Sequence, residues 1–155
     1  MTMKTLPSSH RLLSIALFFG ASFVLHLLWE NMQAPLYVGF ISFREHFLVC
    51  LRAAWGDMLF MLIIYAVLAI VQKNIWWLTD AHAYAQAATW LIAIFLGIVL
   101  AVSFELWAVY IALRWQYASA MPIIPIIRVG LTPVLQMLMI PVSTLFITSR
   151  FSRSL

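Results

Sequence analysis

Three carboxylates and a histidine sit in stretches of this chain where ionisable groups are costly. His26 and Glu30 stand at the end of a first apolar run, Asp57 near the start of a second and Glu105 inside a third. An ionisable group within a membrane span costs about 2.5–3.5 kcal/mol on insertion scales, so each needs a reason. His26 and Glu30 are four residues apart, which puts them one turn from each other on one helical face. A neutral imidazole beside a carboxylate can take up a proton or bind a metal, because the carboxylate fixes its tautomer and basicity. The plainer reading is a polar pair at a span end reaching for headgroups. Glu105 lies in Val102-Ser103-Phe104-Glu105-Leu106-Trp107, with no basic neighbour along the chain until Arg114. Burial penalises its charged form, so it is expected either to carry its proton and act as a general acid, or to pair across helices with Arg52 or Arg128. Asp57 follows Trp55-Gly56, and an interaction with Arg52 would seal the span end.

Around these lie the candidate ligand contacts Trp29, Trp107, Tyr110, Arg114, Arg128 and Gln136. Trp107 and Tyr110 can stack on an apolar or cationic ligand. Trp115 and Tyr117 read as belt aromatics at a membrane interface. No Gly-rich phosphate loop, Cys/His zinc spacing, HExxH or serine elbow is present, so the residues name no cofactor and no metal set. The eight methionines are scattered and read as packing or lipid-facing residues.

The elements that must hold these groups follow from composition. Of 155 residues, 65% are apolar and only 9% charged, against about 25% charged in a soluble domain. The solvent must be lipid, and membrane lipid is the expected partner. A short basic tail is a topology signal, and no nucleic acid is expected to bind. One cysteine, Cys50, allows no intrachain disulfide. Four runs, at about 12–30, 53–71, 87–113 and 129–149, each suffice for the roughly 20 helical residues that cross a bilayer. The first has a basic flank but no small-x-small cleavage site, so it is expected to be a span and not a removed signal. The fold class expected is all-α, a single integral membrane four-helix bundle over 1–155.

Two connecting segments are too apolar for free loops. Leu36, Phe40, Phe43, Phe47 and Leu51 recur at helical spacing, which predicts an interfacial helix over about 36–51. Pro122, Pro125, Gly130 and Pro133 forbid a regular helix before the last run, which predicts a re-entrant or broken segment there. Pro141 predicts a kink further on. Trp76 and Trp77 beside Lys73 have the look of an interface anchor.

Four spans put both termini on one side. Lys4, Arg11, Lys73, Arg150 and Arg153 fall on that side, and Arg44, Arg52, Arg114 and Arg128 on the other. If Arg52, Arg114 and Arg128 are paired with acids, the balance favours cytoplasmic termini in a plasma (inner) membrane. The ionisable residues then gather near the opposite, non-cytoplasmic face.

The blocks His26-x-x-x-Glu30 and Glu105-x-Trp107, with Trp115-x-Tyr117 and the proline-rich approach to a last span, resemble small membrane enzymes acting on isoprenoids and sterols. The sterol isomerase (EXPERA-type) group pairs His-x-x-x-Glu with a further glutamate in a bundle. Membrane lycopene cyclases combine acidic residues, a Trp-x-Tyr-like stretch and a proline-rich approach. This chain departs from both: it has four spans where the isomerase group has five, and Gly130-Leu131-Thr132-Pro133 stands where the cyclases carry paired glutamates. The expectation is an enzyme or binding protein for an apolar, lipid-like substrate. Glu105 would be the acid, His26 with Glu30 the base, and Asp57 or Trp107 would stabilise developing positive charge. The alternative is a proton-coupled transport component or small accessory subunit, acting as a homo-oligomer or beside a partner membrane protein.

Overall fold

A computed structural model describes residues 8–153 of the chain. Lys4, counted in the charge tally, lies outside the described residues. Five α-helices dominate: α1 (Ser8–Gln33), α2 (Phe43–Val71), the short α3 (Ala81–Ala85), α4 (Ala87–Leu106) and α5 (Leu131–Arg153). Four of them are long and apolar enough to span a bilayer, so this is an all-α, multi-pass membrane protein.

The fourth span is the central one. Half of its apolar window is buried, against 22% in each of the others, whose outer faces present large apolar side chains such as Leu28, Leu59 and Phe95 to lipid. Its burial also explains its polar content. Thr144, Thr148 and Ser149 are buried on α5, and Thr148 bonds back to the Thr144 carbonyl at 2.9 Å. Pro141 lies within α5 and has no N–H to give the Met137 carbonyl four residues earlier. That carbonyl faces α4 at Gly97, where a Cβ would stand 2.2 Å from the Met137 oxygen. Glycine is what lets the two backbones meet there, as small residues do between membrane helices generally.

No separate interfacial helix forms over 36–51. Residues 34–36 make a short 3-10 turn, Gly39 adopts a φ of +91°, and Ser42 then caps a continuous helix by accepting the Glu45 N–H at 3.3 Å. Nothing between Arg52 and Asp57 breaks that helix, so Phe43, Phe47 and Leu51 lie in its first turns, while Leu36 and Phe40 stay in the connection before it. At 1.5 Å per residue, 29 residues run to about 43 Å, longer than the roughly 30 Å core, so the helix either tilts or projects beyond it.

The proline-rich segment is broken as expected. It folds as a small antiparallel hairpin of β1 (Ile123–Ile124) and β2 (Val129–Gly130), with Arg128 at its turn at φ +53°. A second pairing braces the same end: Val38 N–H donates to the Gln116 carbonyl and Ala118 N–H to the Leu36 carbonyl, each at 2.9 Å. The two loops thus form one cap. Between α4 and this cap the chain widens into a π-helical turn, Trp107–Ile111, and ends with Leu113 at φ +50°.

At the opposite end Trp77 is fully buried against Phe18, Tyr65 and Tyr84, because a 3-10 turn over Trp77–Thr79 tucks it beneath the bundle. Only Trp76 behaves as an anchor, with the Arg11 guanidinium 5.5 Å from its ring centroid. Among the described residues no arginine pairs with a carboxylate. The premise for discounting Arg52, Arg114 and Arg128 is therefore not met, and the basic tally stays at five against four.

Two tests follow from this packing. Gly97→Ala should lower stability by about 1–3 kcal/mol in detergent unfolding, because the clash is with backbone and cannot be relieved by a rotamer. Tyr84 is buried with its hydroxyl donating to the Leu78 carbonyl at 3.0 Å, and burial pushes its phenol from 10.0 up to about 12. The neutral phenol therefore stabilises the fold in full below pH 10, and that contribution drains away as pH rises towards 12. Tyr84→Phe should flatten this part of an alkaline unfolding profile.

Candidate functional site

Two polar groups face one cavity at the capped end of the bundle. The first hangs on the Gln136 amide of α5. Its Nε2 lies 3.0 Å from His26 Nδ1, 3.0 Å from Glu30 Oε1 and 2.9 Å from Asp57 Oδ2. Gln33 Nε2 donates to Glu30 Oε1 at 2.9 Å and to Gln136 Oε1 at 3.1 Å. His26 Nδ1 is also 3.2 Å from Asp57 Oδ2. An amide nitrogen has two hydrogens, and three acceptors surround this one. The count closes if Gln136 donates to both carboxyl groups and His26 Nδ1–H donates to Asp57. His26 Nε2 is then a bare ring nitrogen, fully buried and without a hydrogen-bond partner. The carboxylate that fixes the imidazole is thus Asp57 from α2, while Glu30, one turn along α1, serves the same amide.

The second group holds Glu105, which is 4% exposed on α4. Its Oε2 accepts from the Tyr117 hydroxyl and from Trp115 Nε1 at 3.4 Å. Tyr117 reaches it because the cap pairs Tyr117 with Tyr37, their rings 5.9 Å apart. Gly130 also leaves the space: a Cβ there would come within 3.1 Å of the Tyr117 ring. Burial, and then its bond to Glu105, push the Tyr117 phenol above its ordinary value of 10.0, and burial does the same to Tyr37. Tyr117 therefore remains a proton-bearing donor at neutral pH.

Between the groups lies a cavity of about 590 Å³, within the roughly 300–1,000 Å³ range of small-molecule sites. Glu30, Asp57, Glu105, Gln136 and Arg114 line it, and His26 stands behind Asp57 and Gln136. Four other candidates do not line it. Trp29 is half-buried on α1. Trp107 and Tyr110 are turned outward by the π turn, 40% and 51% exposed. Arg128 is exposed, and its carbonyl accepts from the Tyr110 hydroxyl at 2.5 Å. Conversely Gln33, Tyr37, Cys50, Arg52 and Trp115 line the cavity without having been singled out for it. Gln33 was legible, being three residues beyond Glu30 and seven beyond His26 on one face. Trp115 and Tyr117 have a signal only in the Trp-x-Tyr resemblance, since by position alone aromatic residues beyond a span read as belt. Among the described residues no three His, Cys, Asp or Glu side chains gather as metal ligands.

The Gln136 amide is the single donor shared by helices α1 and α2. Gln136→Leu leaves the half-buried Glu30 and Asp57 carboxyl groups each one donor short, and should cost about 1–3 kcal/mol in detergent unfolding. Gln136→Asn, which keeps the amide on a shorter stem, should recover part of that loss.

Comparison with known protein families, curated proteins and solved structures finds no match to this chain.

Proposed function

We propose that this protein binds one lipid-like molecule in the capped cavity and acts on it by giving and removing a proton. The observation that carries this reading is the opposition of two proton-handling groups across a single, largely apolar space. On one side stands Glu105, held in position by donors from Tyr117 and Trp115, and it takes the role of the acid. On the other, Asp57 faces the cavity as the base, backed by His26 and held by Gln136, with Glu30 on the same amide. A hydroxylic or olefinic lipid between them would suit isomerisation. A proton added at one alkene carbon leaves a cation on the other, and loss of a proton from the carbon beyond it shifts the double bond with no net change in composition. Water excluded by the bilayer and the cap protects a cationic intermediate from capture.

Placement in a plasma (inner) membrane with cytoplasmic termini belongs to the same proposal. It rests on the five basic residues on the terminal side, set against four opposite.

The test is native mass spectrometry of the detergent-purified protein beside Glu105→Gln. Wild type is expected to run as a monomer retaining a discrete lipid. Turnover of that lipid should fall by about 10²–10⁴-fold in Glu105→Gln while the lipid is still bound. A protein that carries no lipid and assembles into an oligomer, or with a partner, would sink this reading in favour of a proton-coupled or accessory subunit.

A further inference from the structure

The cavity has charge at its mouth that the carboxyl groups do not use. Arg52 of α2 and Arg114 of the cap both line it, and so do three carboxyl groups, yet neither guanidinium has a carboxylate oxygen within ion-pair distance. The acids are engaged by other donors: Glu30 by Gln33 and Gln136, Asp57 by Gln136 and His26, Glu105 by Tyr117 and Trp115. Arg114 makes only a cation–π approach, 5.9 Å from the Trp107 ring centroid. The charged donors left uncommitted at the cavity are the two guanidinium groups, whose planar forks match an oxyanion, with the Tyr37 hydroxyl and the His46 ring beside them.

The apolar part of the space has a direction. Val49, Ala53, Gly56 and Phe60 follow one another at steps of four, three and four, one stripe of α2. Ala101 and Phe104 face it from α4, and Phe60 meets Phe104 edge to face at 5.4 Å. Small residues at 53, 56 and 101 leave a groove between these helices, and a Cβ at Gly56 would meet nothing within 4 Å. Val49 and Phe104 are exposed at its lips, on the faces the spans turn to lipid.

We propose, building on the lipid-binding reading above, that the ligand is a single-chain lipid with an oxyanion head, phosphate or carboxylate. The head lies between Arg52 and Arg114, and the chain runs sideways down the α2–α4 groove to the bilayer. A neutral lipid would leave both guanidinium groups unanswered, and a free anion would leave the groove empty.

Four probes separate these cases in native mass spectrometry of the purified protein: dodecyl phosphate, dodecanoate, dodecanol and inorganic phosphate. The two charged amphiphiles should bind at least tenfold more tightly than dodecanol. Arg52→Gln with Arg114→Gln should erase that preference and leave dodecanol binding unchanged. Gly56→Phe should weaken every chain-bearing probe at least tenfold without unfolding the protein, since a Cβ there enters open space. Should the double variant fail to fold, Arg52→Gln alone, at an exposed side chain without an ion pair, is expected to reduce the preference. Equal affinity for dodecanol and dodecyl phosphate would overturn the oxyanion head while leaving the lipid pocket standing. A preference that survives loss of both arginines would also overturn it. Inorganic phosphate binding as tightly as dodecyl phosphate would identify a free-anion site instead. Failure of every chain-bearing probe would remove the lipid pocket along with the head.

Discussion

The Gln136 side chain holds one end of this bundle together. Three transmembrane helices converge on a single amide, which receives Gln33 and offers its nitrogen to Glu30, Asp57 and His26. Without it, Glu30 would be left with Gln33 and Asp57 with His26, a shortfall of donors that an apolar setting penalises. With it, the same groups become a fixed frame that sets where α1 and α2 meet α5. The cavity exists because that frame keeps the helices joined at one level while small residues on α2 and α4 leave the space beside it unfilled.

A neutral amide suits this place better than a cation would. A lysine or arginine at 136 would neutralise one carboxylate and remain itself a buried charge to be satisfied. The amide donates twice and accepts once without adding charge. The shortage of hydrogens this creates is met by the histidine, so the proton on His26 is part of the architecture. Across the cavity Glu105 is held differently, by a phenol and an indole from a loop. Its position therefore depends on the cap, and the Gln136 group's depends on the spans.

Legibility in the sequence followed the same division. Groups carried by long helices were readable, because apolar runs fix the spans and a four-residue step fixes a face. His26, Glu30, Asp57 and Glu105 all come to one end of the bundle for that reason. Contacts made through loops were not readable. Trp115 and Tyr117 reach Glu105 only through a pairing between residues 36–38 and 116–118, nearly eighty positions apart, which no local pattern announces. The outward turn of Trp107 and Tyr110 likewise needs a π turn that their spacing does not encode. The interfacial helix expected over 36–51 rested on a real apolar stripe. Periodicity alone does not say where a helix ends, and here it continues for another twenty residues.

The contact between Gly97 and the Met137 carbonyl has a mechanical consequence for the site. It pins α4 to α5 at one point of backbone contact, eight residues before Glu105 and one residue past Gln136. The two sides of the cavity are thus measured from the same rivet. A residue added to α4 between the rivet and Glu105 would swing that carboxyl by about 100° around its helix, out of the cavity and into lipid. The spacing from Gly97 to Glu105 is in effect a ruler, and it tolerates far less change in length than the loops around it.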